Sequence, residues 1–296
     1  MTDTTPPVAG RAGHAPALLL VGHGSRSPAG VAAYWEFAAA VRAAAPHLRL
    51  GCGFIELAAP DLDTAIDELA AAGADRVVAV PLVLLGAGHM KNDGPAALAR
   101  ARTRHPGIHF SYARALGIHP GPLAVARAGI DATTRGWPRA ASAVVAVSRG
   151  SSDPDANADL YKVARLLWDG GATELVLPAF VSLAAPSVPD AMGQCRRLGA
   201  TRIAVVPYFL FTGVLVERIG GQAAAWADKH HDVEVRLGPE MGADRRLVDL
   251  VLERYREAIA GDVRMNCDCC VYRVALPGYD RRVGAPLVDH SHTHRH

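Results

Sequence analysis

The chain contains 296 residues, of which 50% are hydrophobic and 20% are charged, and its formal net charge at pH 7 is +2. This composition is typical of a folded globular protein that is long enough to form two domains. The near-neutral charge excludes the basic signature of a nucleic-acid-binding protein, and no apolar run approaches the roughly 20 residues of a membrane span. We therefore expect neither nucleic acid nor a membrane among its partners.

The N-terminus and the cysteines indicate the cellular compartment. Residues 1–16 are rich in Thr, Pro, Ala and Gly and contain no apolar segment of signal-peptide length, which predicts a flexible N-terminus and a cytoplasmic protein. The cysteines number five, an odd count that argues against a disulfide framework, and three of them lie between residues 267 and 270. This pattern favours thiolate or metal chemistry in a reducing compartment.

A histidine, His23, follows the first predicted strand. Residues 18–21 are consecutive apolar residues, which is typical of a parallel strand that is buried on both faces. Gly22 and Gly24 flank His23 and let the backbone turn sharply, and Pro28 then opens a helix that runs to residue 45. Because ligands bind at the carboxyl ends of strands in an open α/β sheet, this order of elements places His23 where function is expected.

The same arrangement follows twice more along the chain. The next strand, at residues 50–57, carries Glu56 near its end, and the strand at residues 76–85 runs into a glycine-rich segment that contains His89. Helices are predicted at residues 61–72, 95–104 and 119–135, with a further strand at residues 109–113 and a linker at residues 136–138. These four β/α pairs form a predicted first lobe at residues 17–138.

The pattern then begins again, so the chain contains an internal duplication. Residues 144–154 overlay residues 18–28, residues 180–186 overlay residues 54–60, and residues 199–207 overlay residues 73–81. We predict an α/β fold with two similar lobes, at residues 17–138 and 139–262, each a mainly parallel four-stranded sheet flanked by helices. A Cys- and His-rich tail at residues 263–296 follows.

The two copies share their backbone elements but differ at the polar residues that follow the strands. In the second copy, Arg149 replaces His23, Ser182 replaces Glu56 and Leu215 replaces His89. Two imidazoles and one carboxylate at neighbouring strand ends suit a divalent ion such as cobalt, iron or nickel. The alternative is that each histidine merely packs or caps a loop, but a purely structural role would be needed in both copies. We therefore predict His23, Glu56 and His89 as the catalytic and metal-binding residues.

Several cationic side chains fall near the same strand ends. They could bind the carboxylates of an acidic ligand, because Arg offers a bidentate fork to a carboxylate. The alternative is ordinary solvated surface charge. The predicted ligand-binding cations are Arg26, Lys91, Arg114, Arg149 and Arg218. The chain contains no phosphate-binding loop of the GxxxxGK type, so nothing in it indicates the use of ATP.

The tail contains a cluster of thiols at Cys267, Cys269 and Cys270. Clustered thiolates suit an iron–sulfur cluster or zinc, and redox-sensing thiols are the alternative. Three cysteines are fewer than the four that usually hold a cluster, so a non-cysteine ligand or a ligand from another chain, as in a dimer through this segment, would be needed. The histidines at the end of the chain, residues 290–296, predict only weak metal affinity.

The motifs at residues 22–26 (GHGSR), 56–60 (ELAAP) and 88–93 (GHMKND) resemble those of the class II tetrapyrrole chelatases, specifically the sirohydrochlorin chelatases of the CbiX family. The duplicated length, the Met-x-Cys-x-x-Cys signature and the His-rich end are similar to the long cobaltochelatase form. The resemblance implies ATP-independent insertion of a divalent ion into sirohydrochlorin, most simply Co²⁺ for cobalamin, and an iron–sulfur centre at the tail cysteines. It also implies that His23 and His89 handle metal and protons.

The second half departs from the family pattern at Arg149 and Leu215, which argues against a second active site, and Cys269 is extra to the cysteine signature. Three other functions stay open from the sequence. One is a siroheme ferrochelatase that inserts Fe²⁺. Another is phosphoryl transfer through a strand-end histidine, although glycines stand at both neighbours of His23, where a phosphate-binding arginine would be needed. A third is a metal carrier or iron–sulfur sensor, which leaves His23, Glu56 and His89 unexplained.

Overall fold

The computed structural model of the protein describes residues 15–262 and residues 281, 283 and 284, without the side chain of residue 89. Within that part, the strands of the first half are β1 (Ala17–Gly22), β2 (Leu50–Phe54), β3 (Arg76–Pro81) and β4 (His109–Tyr112). Those of the second half are β5 (Ser142–Ser148), β6 (Leu175–Phe180), β7 (Arg202–Pro207) and β8 (Glu234–Leu237).

The helices alternate with these strands. They are α1 (Pro28–Ala44), α2 (Leu62–Ala71), α3 (Gly94–Arg104), α4 (Pro120–Thr133), α5 (Pro154–Asp169), α6 (Val188–Arg197), α7 (Val214–Ala227) and α8 (Arg245–Ala260). None of the described helices is long and apolar enough to cross a membrane.

The strands form two parallel four-stranded sheets with the same topology, in the orders β2-β1-β3-β4 and β6-β5-β7-β8. The prediction of two similar α/β lobes is therefore confirmed. In the first sheet, Leu18 of the central strand β1 pairs with Leu50 of β2 on one side and with Val78 of β3 on the other. The chain reverses its direction of strand addition at β1, and the carboxyl end of this strand is where such sheets bind ligands.

The hydrophobic core explains why β1 and the interior of β5, residues 143–147, are apolar. Alternate residues of a strand point to opposite faces, and both faces of each sheet are covered. Leu18 and Leu20 enter a core that is shared by the two halves, whereas Leu19 and Val21 pack on the outer face of the first sheet. The shared core continues through Val144 of β5 and makes the two halves one packed unit.

The last helix of each half packs on the sheet of the other half. Helix α8 lies against β3, β4 and α1, whereas α4 lies against β7 and α5. Arg254 of α8 is 1% exposed, and its guanidinium donates hydrogen bonds to the carbonyl oxygens of Ala115 (3.1 Å) and Leu116 (3.0 Å). The division at residue 138 thus describes the sequence repeat, while α4 and α8 are exchanged between the two sheets.

Two local features differ from the sequence expectation. Strand β2 ends at Phe54 instead of residue 57, and Leu57 itself has a φ of 65°, a left-handed conformation that strand residues do not adopt. Strand β3 ends at Pro81 instead of residue 85, and the glycine-rich segment that follows leads into a π-helical turn at His89–Asp93 before α3. Pro95 has no N–H to donate, which interrupts the regular hydrogen-bond ladder where this turn meets α3.

Candidate active site in the cleft between the two sheets

His23 and Glu56 are held at adjacent strand ends by backbone hydrogen bonds that extend the pairing of β1 and β2. The N–H of Ile55 donates to the carbonyl of Gly22 (2.8 Å), and the N–H of Glu56 donates to the carbonyl of His23 (3.0 Å). Gly24 has a φ of 98°, and a Cβ at this position would overlap the carbonyl oxygen of Glu56. Glycine is therefore required beside His23 for both conformation and space.

The two side chains meet at this corner. The Nε2 atom of His23 lies 3.5 Å from Oε1 of Glu56, and the side chains are 30% and 12% exposed, respectively. A partly buried imidazole and carboxylate at this distance can both face one small cation. The structure thus brings together two of the three residues that were predicted from the strand ends.

Arg149 approaches the same imidazole from the second half of the chain. Its Nη1 atom lies 3.1 Å from Nε2 of His23, and because a guanidinium can only donate, Nε2 must accept. The ring proton then resides on Nδ1, which lies 3.4 Å from the carbonyl oxygen of Gly24. The contact joins the segments that follow β1 and β5, so the carboxyl edges of the two sheets come together here.

His89 begins the π-helical turn that follows β3, and its side chain lies outside the described part of the structure. Lys91, in the same turn, connects the two halves: its Nζ atom donates to Oδ2 of Asp153 and to Oδ2 of Asp155, each at 2.8 Å. The lysine side chain is 14% exposed and the carboxylates are 1% and 6% exposed. Burial alone would lower the pKa of Lys91, but the hydrogen bonds to the two carboxylates and their negative charge raise it.

The remaining predicted cations separate into two groups. Arg114 makes a bidentate pair with Glu257 of α8, with N–O distances of 2.9 and 2.7 Å, and these hydrogen bonds raise its pKa. Arg26 and Arg218 are exposed. Lys91 and Arg114 are thus held by carboxylates from the second half of the chain. A role in ligand binding stays a prediction for all five cations.

Among the side chains that the structure describes, no group of three His, Cys, Asp or Glu residues is arranged to hold a metal ion. His23 and Glu56 are two of the three predicted ligands, and the side chain of the third, His89, is not among those described. Cys267, Cys269 and Cys270 lie outside the described residues. Cys52 and Cys195, which are described, are buried free thiols.

Sequence reasoning missed Asp153 and Asp155, which hold Lys91. Asp153 precedes α5 and caps it by accepting a hydrogen bond from the N–H of Asp155 (3.1 Å), so from sequence it is typical of an ordinary helix cap. Comparison of the two copies could nevertheless have identified the two aspartates. The equivalent residues of the first half are Ser27 and Ala29, so these carboxylates occur in one copy only, as the predicted site residues do.

Comparison with known proteins shows the family of the chain. The CbiX family model matches the chain twice, at residues 17–133 and 143–258. A sirohydrochlorin cobaltochelatase of Priestia megaterium is 36% identical over 263 residues, which cover 88% of this chain and 85% of that protein. A sirohydrochlorin ferrochelatase of Bacillus subtilis is 32% identical, over 82% of this chain and 92% of its own length.

A solved structure of SirB from Bacillus subtilis with Fe³⁺ superposes with a TM-score of 0.70 and 30% sequence identity. The similarity covers 83% of this chain and 96% of that one. Both halves of the duplicated chain match the family model, and the α/β architecture matches that of a solved chelatase. The chain belongs to the CbiX family.

Proposed function

We propose that this protein is a sirohydrochlorin chelatase, that Co²⁺ is the ion it inserts, and that the product serves cobalamin biosynthesis. The observation that carries the proposal is the convergence of His23 and Glu56, with Nε2 and Oε1 3.5 Å apart, at the carboxyl edge of the first sheet. The relatives support the substrate, since a cobaltochelatase and a ferrochelatase of sirohydrochlorin both align over more than four fifths of the chain.

The chemistry requires two actions from the protein. A partly desolvated divalent ion must be brought to the ring nitrogens, and two pyrrole protons must leave. The unprotonated Nε2 of His23 can ligate the ion or accept a proton, and the carboxylate of Glu56 can do either. We assign the second imidazole to His89, which follows β3 in the chain as His23 follows β1.

The substrate is a tetrapyrrole that carries many carboxylates, and it needs cationic partners at the rim of the cleft. Arg26, Arg149 and Arg218 are exposed and belong to segments that follow strand ends in both halves. An arginine keeps its charge at any physiological pH, so it can hold a carboxylate but can neither bind the metal nor take a pyrrole proton. This argues for one inserting site in the first half, with the second half forming the opposite wall.

The direct test is to incubate the purified protein with sirohydrochlorin and Co²⁺ and to follow the change in the absorption spectrum of the ring. We expect the His23→Ala and Glu56→Gln variants to lose activity by about 100-fold or more, since each removes a group that handles metal or protons. Arg165→Gln, a change on the exposed face of α5, is the matched control. Wild-type rates in His23→Ala would contradict the proposal.

The choice of metal needs a separate experiment, because imidazole and carboxylate ligands also accept Fe²⁺ and Ni²⁺. We expect Co²⁺ to be inserted preferentially when the three ions compete at cellular concentrations. Preferred insertion of Fe²⁺ would instead make the protein a siroheme ferrochelatase. The same experiment excludes a metal carrier, which would bind ions without changing the spectrum of the ring.

We also propose, from the sequence and its resemblance alone, that Cys267 and Cys270 hold an iron–sulfur cluster, with Cys269 nearby. Because His23 and Glu56 lie within residues 15–262, the tail is expected to be dispensable for insertion. Anaerobically purified protein should contain iron and sulfide, and a chain that ends after Asp262 should still insert Co²⁺. Stoichiometric zinc without sulfide would contradict the cluster.

A further inference from the structure

The contact between Arg149 and His23 is unusual for a site that is to bind a cation. The two residues occupy equivalent positions in the duplicated halves, each following the central strand of its sheet, and they meet with Nη1 3.1 Å from Nε2. The hydrogen bond consumes the single lone pair on Nε2, since the other ring nitrogen carries the proton and faces the carbonyl of Gly24.

That lone pair is the one that a metal ion would need. Nε2 is also the ring atom that faces Glu56, at 3.5 Å from Oε1, whereas Nδ1 points to the backbone. A divalent ion shared by His23 and Glu56 must therefore displace the guanidinium from Nε2. The fixed positive charge of Arg149 additionally repels a cation that arrives beside it.

We propose that Arg149 is a built-in competitor of the metal at His23, and that it keeps the protein's affinity for the free ion low. This inference rests on the proposed function, because it concerns the same metal-accepting imidazole. A chelatase has to pass its metal on to the ring, so an ion held tightly by the protein would slow the transfer. Arg149, at the position equivalent to His23 in the second half, supplies the opposing charge within hydrogen-bonding distance.

The exposure of the two side chains allows the exchange. Arg149 lies at the surface of the cleft, so its guanidinium can move into solvent, or onto a carboxylate of the substrate, without disturbing the core. His23 is held in place by the backbone bond to Glu56 and by the packing of Gly24, and it stays in position when the arginine leaves. The metal can then bind the imidazole of His23, which is already oriented.

The test measures metal binding by the protein alone. Co²⁺ affinity is determined by competition with a coloured chelator for the full-length wild type and for Arg149→Gln, His23→Ala and the double variant. Removing a charge-assisted hydrogen bond and a neighbouring positive charge should tighten the His23-dependent site by about tenfold in Arg149→Gln. In the His23→Ala background the same substitution should have no effect, which separates this site from metal binding by the tail.

Two controls define the outcome. Arg165→Gln removes the same charge from an exposed pair with Asp169 (2.8 Å) on α5 and should leave Co²⁺ affinity unchanged. Arg149→Lys keeps the charge without the planar fork and should tighten binding less than Arg149→Gln. Equal or weaker Co²⁺ binding by Arg149→Gln overturns the competition. Equal binding by His23→Ala and the wild type instead overturns the role of His23 as a ligand, and with it the proposed site.

Discussion

Replacing Lys91 by methionine is expected to destabilise the protein far more than any other single loss of a lysine charge in the described chain. The ammonium donates to Asp153 and Asp155 at 2.8 Å each, in a site where the three side chains are 14%, 1% and 6% exposed. Removing one partner from a buried ion pair leaves uncompensated charge in a poorly solvated place, which costs about 3–5 kcal/mol. We expect a loss of that order in the free energy of unfolding of Lys91→Met.

The assay is urea denaturation at pH 7, followed by circular dichroism. Lys162→Met is the matched control, because its ammonium lies 3.6 Å from Asp159 and is 62% exposed, and an exposed pair of this kind contributes less than about 1 kcal/mol. A Lys91→Met variant that also carries Asp153→Asn and Asp155→Asn should recover much of the lost stability, since it restores the charge balance. A difference below about 1 kcal/mol between Lys91→Met and wild type would refute the reasoning.

The pH dependence follows from the same contacts. The carboxylates raise the pKa of Lys91 above its ordinary value of about 10.4, so the folded state binds this proton more tightly than the unfolded state. The resulting stability is fully present below the unfolded pKa and is lost only as the pH rises through the folded pKa. The difference between wild type and Lys91→Met should therefore stay constant between about pH 7 and pH 9.

Three further predictions concern other parts of the molecule. His119 caps α4 by accepting a hydrogen bond from the N–H of Gly121 (3.1 Å), and burial lowers its pKa. The free energy of unfolding should therefore fall as the pH drops below about 6.5, and it should fall less in His119→Asn. Burial raises the pKa of the Cys195 thiol to about 12 and also raises that of Cys52, so alkylation mapped by mass spectrometry should reach both only after denaturation. Gly24→Ala should abolish metal insertion, measured by ring absorption, because its Cβ would push the Glu56 backbone aside.

The scaffold could be predicted from the sequence because its signals are local. Apolar runs such as residues 18–21 predict buried strands, and glycines beside His23 predict a sharp turn at the strand end. The internal repeat then indicated the same arrangement for the second half. Because parallel strands have their carboxyl ends at the same edge of a sheet, His23 and Glu56 could be predicted to lie at one edge. In the structure, Nε2 of His23 and Oε1 of Glu56 are 3.5 Å apart.

The contacts between the halves could not be predicted, because amphipathic periodicity gives a helix an apolar face without saying which sheet receives it. Helix α8 shows one apolar face in sequence, yet it packs on the first sheet and places Glu257 against Arg114. For the same reason, the sequence could not show that Lys91 and Arg114 contact internal carboxylates. Near a strand end, a cation that meets an internal carboxylate has the same sequence signature as one that awaits a ligand.

The inter-half contacts depend on residues that differ between the two copies. A symmetric pair of first halves would place His23 opposite a second His23, with no guanidinium between them. It would also place Lys91 opposite Ser27 and Ala29, which occupy the positions of the two aspartates and cannot neutralise a buried ammonium. Fusion removes the requirement that both copies carry the same residue. One half can then keep the groups that handle metal and protons, while the other half supplies Arg149 beside His23 and the two aspartates beside Lys91. Because α4 and α8 are exchanged, the two halves cannot separate without unpacking both sheets.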